Sequence, residues 1–202
     1  MIVYTDSMKY IVPLGNPGSK YEHTRHNVGW LAVDHMIEAR AWPHLIADTK
    51  LSGRTTEGAV GSETVEVLYP DTFMNNSGAA AAKLVPKQAV EDLIVLHDDI
   101  DLPFGVIKVS KGRGGGGNNG VSSIIQKLES KDFVRIRIGI APTSFWTGKT
   151  KRPSGGGPLE RFVLKPFTPS ERKQLPELFQ RVDAAVAVVV EQGVEAAMNQ
   201  YN

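Results

Sequence analysis

The stretch Leu14-Gly-Asn-Pro-Gly-Ser-Lys-Tyr-Glu-His-Thr-Arg-His26-Asn-Val-Gly29 follows a short apolar strand, Tyr10-Ile-Val-Pro13, and opens a helical pattern near His26. Strand, turn-rich loop and helix start, in that order, form the mouth of an α/β site. Gly15 and Gly18 reach positive φ cheaply and Pro17 fixes its own φ, so a bare βα connection accounts for residues 15–18. It does not account for Thr24-Arg25-His26-Asn27, which sets a titratable imidazole at a helix mouth.

Reading outward, residues 26–42 carry Val28, Leu31, Ala32, His35, Met36 and Ala39 at helical spacing, and Pro43 stops the helix. A polar stretch with Gly53, Gly58 and Gly61 predicts a hairpin into an alternating strand at 64–69. Asp71-Thr-Phe-Met-Asn-Asn-Ser-Gly78 then leads into an alanine-rich helix, 79–84, before Pro86. Leu93-Ile-Val-Leu96 is a continuous apolar run of the kind buried on both faces of a parallel sheet. It delivers His97, Asp98 and Asp99 to a strand's carboxyl end, where ligands gather in open α/β sheets.

A strand at 106–109, a glycine-rich loop and a helix at 120–128 follow. In the strand at 134–140 basic and apolar residues alternate, which predicts one buried face and one presenting Arg135 and Arg137. Residues 143–158 read as a loop, and 170–199 as one long C-terminal helix in which Pro176 marks a late start or a kink. No repeat or linker divides the chain, so residues 1–202 are expected to form a single domain, with 1–8 as an extension. The element order predicts an α/β/α sandwich around a mixed, mostly parallel central sheet.

Composition narrows the function. At 202 residues and 41% hydrophobic, the chain can bury one sizeable core. It has no cysteine, which excludes disulfides and thiolate metal sites. The N-terminus lacks a signal-peptide pattern and the longest apolar run, 184–190, is far short of a bilayer span, so a cytoplasmic protein is expected. Net charge is only +1, but ten basic residues between Gly105 and Arg152 face only Glu129 and Asp132, a local +8 that leaves −7 elsewhere. Ordinary solvated lysines explain part of this asymmetry; a surface that meets phosphates explains it better.

The chemistry is bounded by what is missing. Gly112, Gly114 and Gly117 formally match G-x-G-x-x-G, but a run this rich in glycine matches almost by chance. A nucleotide-binding oxidoreductase is thus the weaker reading, and a ligand- or phosphate-facing loop the better one. His23, His26, His97, Asp98 and Asp99 include zinc-type ligands, yet there is no H-E-x-x-H and spacing fixes no third ligand. A nucleophile elbow and a Walker loop are absent. Without them, and without cysteine, the remaining chemistry is a histidine with a carboxylate activating water directly. Asn75 can equally belong to an N-cap cluster with Asn76 and Ser77, Asp98 can be a plain loop-end carboxylate, and His97 reads as structural.

Leu14-Gly-Asn-Pro-Gly with Thr24-Arg-His-Asn-Val-Gly29, Phe73-Met-Asn-Asn-Ser-Gly78, His97-Asp-Asp-Ile-Asp-Leu-Pro103 and Asn119-Gly120 together resemble, in order, the motifs of bacterial-type peptidyl-tRNA hydrolases. That resemblance implies hydrolysis of the ester between a peptide and the 3′ ribose of tRNA; a monomer that needs no metal or cofactor is expected. It implies His26 as general base, Asp98 as the carboxylate that orients and charges it, and Asn16 as holding the carbonyl or the attacking water. Asn75 and Asn119 would grip the peptide main chain, while Tyr21 and Met74 line the cleft. The competing class is a non-catalytic RNA-binding relative of the same fold, similar to an organellar splicing factor; here the catalytic set is intact.

Three departures from the family pattern stand out. Histidines usual in the glycine loop are replaced by Gly115 and Asn118. A lysine that helps hold the tRNA 5′ phosphate falls on Ser110, while its arginine partner matches Arg137; Lys108 or Lys111 are the available substitutes. The loop at 143–158 is also longer than is typical.

Overall fold

A strand that is apolar throughout belongs where both of its faces are covered. In the computed structural model, which describes residues 8–142, 150 and 156–202, the first strand holds that position. β1 (Lys9–Pro13) is buried from Tyr10 onward and runs parallel to β4 (Glu63–Pro70) on one side and β5 (Leu93–Pro103) on the other. β7 (Val134–Ala141) continues the parallel centre beyond β5. Antiparallel strands close the edges: β2 (Ile46–Asp48) and β3 (Gly53–Val60) beside β4, and β6 (Ile107–Lys111) beside β7. The order is β2-β3-β4-β1-β5-β7-β6.

Helices α1 (Val28–Ala39), α5 (Pro169–Gln192) and α6 (Val194–Tyr201) cover one face, where Ile11, Ile94, Leu96 and Ile136 share a core with Val33, Met36, Val182 and Val186. α2 (Ser77–Leu84) and α3 (Asn119–Leu128) cover the other, over Val12, Leu14 and Val95. The expected α/β/α sandwich is therefore present. Gly29 lets α1 begin directly against the strand ends: a Cβ there would lie 2.5 Å from the Leu96 carbonyl oxygen and 2.9 Å from that of Leu14.

Several elements differ from the sequence expectation. A 3-10 turn, Arg25–Asn27, precedes α1, which stops at Ala39 rather than reaching 42. The strand at 134–140 does not present Arg135 to solvent. It lies between β5 and β6 and is covered on both faces, so Arg135 is buried and its Nη1 donates to the Gly114 carbonyl oxygen at 2.8 Å. The long C-terminal helix is two helices, broken where Gly193 adopts φ 90°. It starts early, not late: Thr168 and Glu171 form a reciprocal capping box, which offsets the bond forgone at Pro176 inside α5. Within the expected loop at 143–158, residues 143–149 and 151–155 lie outside the described residues, and its last two belong to α4 (Gly157–Val163).

Candidate active site

The parallel register of β1 and β5 pairs Pro13 with Leu96 and ties Leu14 N–H to the Leu96 carbonyl oxygen at 2.9 Å. The loop that leaves β1 is thereby brought over His97 and Asp98. At its end, the Arg25–Asn27 turn aims His26 back at the strand, and His26 Nδ1 lies 2.9 Å from Asp98 Oδ1. Both side chains are mostly buried, at 13% and 5% exposed. Burial by itself would lower the His26 pKa. The Asp98 charge and hydrogen bond outweigh it, and the imidazole is raised above the ordinary histidine value. With Nδ1 held by the carboxylate, Nε2 is the nitrogen left for chemistry.

Two asparagines frame this pair. Asn27, fully buried, donates from Nδ2 to the Asn16 carbonyl oxygen (3.0 Å) and accepts from Asn16 N–H (2.9 Å). Asn16 Oδ1 in turn accepts from Met74 N–H at 2.8 Å, which leaves its Nδ2 as an uncommitted donor. Asn75 occupies the 3-10 turn Met74–Asn76. It makes no cap bond; Asn76 is the N-cap of α2, and its side chain makes none either. Asn119 is the first residue of α3. Asn75 and Asn119 are both exposed, and among the described residues neither side chain has a hydrogen-bond partner.

Asn16, Tyr21, His26, Met74, Asn75, Asp98 and Asn119 all line one cleft of about 710 Å³. The expected catalytic and substrate-binding residues are thus brought together. His97 also lines it but is buried, with Nδ1 donating to the Asp98 carbonyl oxygen at 2.8 Å, and burial lowers its pKa. His23 is exposed and lines a separate cavity with Glu22, Trp30 and Asp34, so it does not join His26.

The expected phosphate contacts are only partly assembled. Lys108 stands directly across from Arg137 on neighbouring strands, hence on the same face of the sheet. Lys111, three residues further along β6, points to the opposite face and pairs with Glu91 at 2.5 Å. Arg137 Nε donates to Asp99 Oδ2 at 2.7 Å. None of the three lines the cleft.

One site residue escaped the sequence reading except as a departure. Asn118 Nδ2 donates to Asp98 Oδ1 at 2.8 Å, the same oxygen that faces His26. Its own Oδ1 accepts from the Gly120 and Val121 N–H groups at the start of α3 (3.0 and 3.2 Å). The two ends of the amide cannot be exchanged, because the helix end supplies donors and Asp98 supplies an acceptor. An asparagine just before a helix is a recognisable N-cap signal; its bond to Asp98 could not be read from local sequence.

The family model described as peptidyl-tRNA hydrolase matches residues 10–202. A peptidyl-tRNA hydrolase of Thermodesulfovibrio yellowstonii is 39% identical over 199 residues, covering 96% of this chain and 99% of that protein. One from Geotalea daltonii is 40% identical over 198 residues, covering 97% of each. The crystal structure of the Acinetobacter baumannii peptidyl-tRNA hydrolase superposes with a TM-score of 0.83 at 30% identity, over 98% of this chain and 95% of that one. The chain belongs to the peptidyl-tRNA hydrolase family.

Proposed function

We infer that this protein hydrolyses the ester between the peptide and the 3′ ribose of peptidyl-tRNA, with water as the nucleophile. The observation that carries the reading is the His26–Asp98 pair at 2.9 Å, set in a cleft beside amide donors that have no partner among the described residues. His26 Nε2 takes a proton from water as the water oxygen bonds to the ester carbonyl carbon. The oxyanion so formed accepts from Asn16 Nδ2, a type of contact that typically lowers a barrier by about 3 kcal/mol. Collapse breaks the bond to the ribose oxygen, which takes the proton from His26. Asp98 keeps the imidazole in the tautomer that leaves Nε2 free and stabilises its transient charge. Asn75 and Asn119 hold the peptide main chain, and Tyr21 and Met74 line its path.

One copy supplies every residue in this scheme, which supports a monomer. The shared sheet supports reading residues 1–202 as one domain. A cytoplasmic location suits a substrate made in translation, and among the described residues no helix is long and apolar enough to cross a membrane. The basic segment suits an RNA-binding but non-catalytic relative as well, but the paired His26 and Asp98 favour the enzyme. The deciding assay is release of N-acetylated amino acid from tRNA by the purified protein, with and without a chelator. Equal turnover in both is expected; no turnover would overturn the reading, and loss restored by zinc would overturn the metal-free scheme.

The base must be neutral to act, so kcat/KM should fall as pH drops through the His26 pKa, which, despite burial, Asp98 raises from the ordinary histidine value. Asp98→Asn removes the charge that raises the imidazole and leaves the burial that lowers it. Its acid limb should therefore move to lower pH along with a lower plateau. A pH profile with an unmoved midpoint would take Asp98 out of this role.

Contacts to tRNA phosphates should lie on the Lys108/Arg137 face. Replacing both by alanine is expected to raise KM for tRNA substrates and to reduce the log–log salt slope by roughly two. An N-blocked aminoacyl nucleoside, which has no acceptor stem, should be cleaved as before. Equal damage to both substrates would make these residues scaffold.

A further inference from the structure

Arg25 is the neighbour of His26, yet nothing in the chemistry above uses it. Its side chain is nearly fully buried, and a guanidinium in that state needs partners. Its two Nη groups find them in the corner between α4 and α5, while the buried Nε has no hydrogen-bond partner among the described residues. Nη1 donates to the carbonyl oxygens of Pro166 (2.7 Å) and Lys165 (3.3 Å), and Nη2 to Glu171 Oε2 (2.6 Å). Its Cζ sits 4.6 Å from the ring centroid of Phe162, on α4, and 5.3 Å from that of Phe167. The backbones join as well, with Arg25 N–H donating to Lys165 O at 3.1 Å and Thr24 bridged to Pro166.

This corner carries part of the site. α4 and the residue after it contribute Leu159, Glu160, Val163 and Leu164 to the cleft wall. The short α4 has no side-chain N-cap bond of its own. What fixes its far end is the network around Arg25. Glu171 Oε2 accepts from Arg25 and also from Thr168 N–H at 2.7 Å, so one carboxylate oxygen joins the latch to the cap of α5.

We propose that Arg25 is a positioning residue that latches the α4 wall of the cleft onto the turn carrying His26, and so sets the grip of that wall on bound substrate. The role rests on the reading that this cleft holds peptidyl-tRNA. A planar fork suits it: a lysine can reach one acceptor but not the two carbonyls, the carboxylate and the aromatic faces together.

Three variants test it with N-acetylaminoacyl-tRNA: Arg25→Lys, Glu171→Gln and Thr168→Ala. Glu171→Gln leaves the neighbour of His26 untouched and keeps an acceptor for the α5 cap, so it carries the test if Arg25→Lys does not fold. The first two should raise KM about tenfold with kcat within about threefold, as expected when a charge-assisted contact that only positions the cleft wall is lost. Their pH midpoint should stay that of the unaltered protein, and hydrogen exchange of the α4 amides should quicken. Thr168→Ala, which weakens the α5 cap alone, should change neither KM nor α4 exchange. Unchanged KM in the first two, or an equal rise in Thr168→Ala, would overturn the latch. So would a fall in kcat with a shifted pH midpoint, which would make Arg25 a support for His26 instead. If the unaltered protein cleaves no substrate, the functional reading fails by itself, and α4 exchange still decides whether the latch exists.

Discussion

His26→Ala should slow ester hydrolysis at least about 10²-fold, the size expected when a general base is removed. The protein should stay folded. Asp98 is not abandoned by the loss of His26, because Asn118 Nδ2 still donates to Asp98 Oδ1. A buried carboxylate that keeps a donor is spared most of the penalty of an unpaired one. Asp98→Ala should behave in the opposite way. Catalysis should fall less, since water can partly replace an orienting carboxylate, but stability should fall more, since Asn118 loses the acceptor for a buried N–H. Single-turnover rates and thermal melts on the two variants separate these effects. Near-normal turnover in His26→Ala, or a melt lowered more by His26→Ala than by Asp98→Ala, would contradict the arrangement.

How much of this was legible in the chain depends on how far each residue's partners lie along it. The loop from Leu14 to Gly29 could be read because its turn chemistry is local and its extra polar residues had no local explanation. The opposite facing of Lys108 and Lys111 was not legible: the expected strand ended at 109, and only the longer β6 puts both lysines on one strand, where their odd offset reverses the side chain. Nor was the burial of Arg135. Alternation predicts a half-exposed strand, and only the placement of β6 and the pairing with Gly114 reveal a covered one. Gly193 hid inside an otherwise uninterrupted helical stretch, and its positive φ, which separates α5 from α6, is a backbone state that the side-chain pattern does not report. Asn118 is the informative case. Its N-cap half is local, its Asp98 half spans twenty residues, and together they turn an apparent loss of a histidine into a defined contact.

That contact bears on why the enzyme would spare the charged tRNAs that translation needs. Those carry a free α-amino group, where the intended substrate has an amide. Asn75 and Asn119 line the cleft without hydrogen-bond partners among the described residues, and each amide can donate to a peptide carbonyl and accept from a peptide N–H. When a substrate fills the cleft and expels water, a missing acyl group leaves those amides unpaired, at roughly 1–3 kcal/mol each. A site of this kind rejects the smaller analogue through its own polar groups, so N-acetylaminoacyl-tRNA should be cleaved on the order of 10²-fold faster than the same aminoacyl-tRNA. Asn118, where the family resemblance leads one to expect a histidine, does not release Asn119. Asn118 anchors the first turn of α3 through two backbone N–H groups and fixes that turn to Asp98, so Asn119 is carried on a tied helix end. Asn119→Ala should therefore slow the blocked substrate about tenfold or more while barely changing the unblocked one, narrowing the gap from one side. The measurement is kcat/KM for both substrates with both proteins. Comparable rates on the two substrates with the unaltered protein would refute the mechanism. Equal slowing of both by Asn119→Ala would move Asn119 from reading the acyl group to holding the cleft.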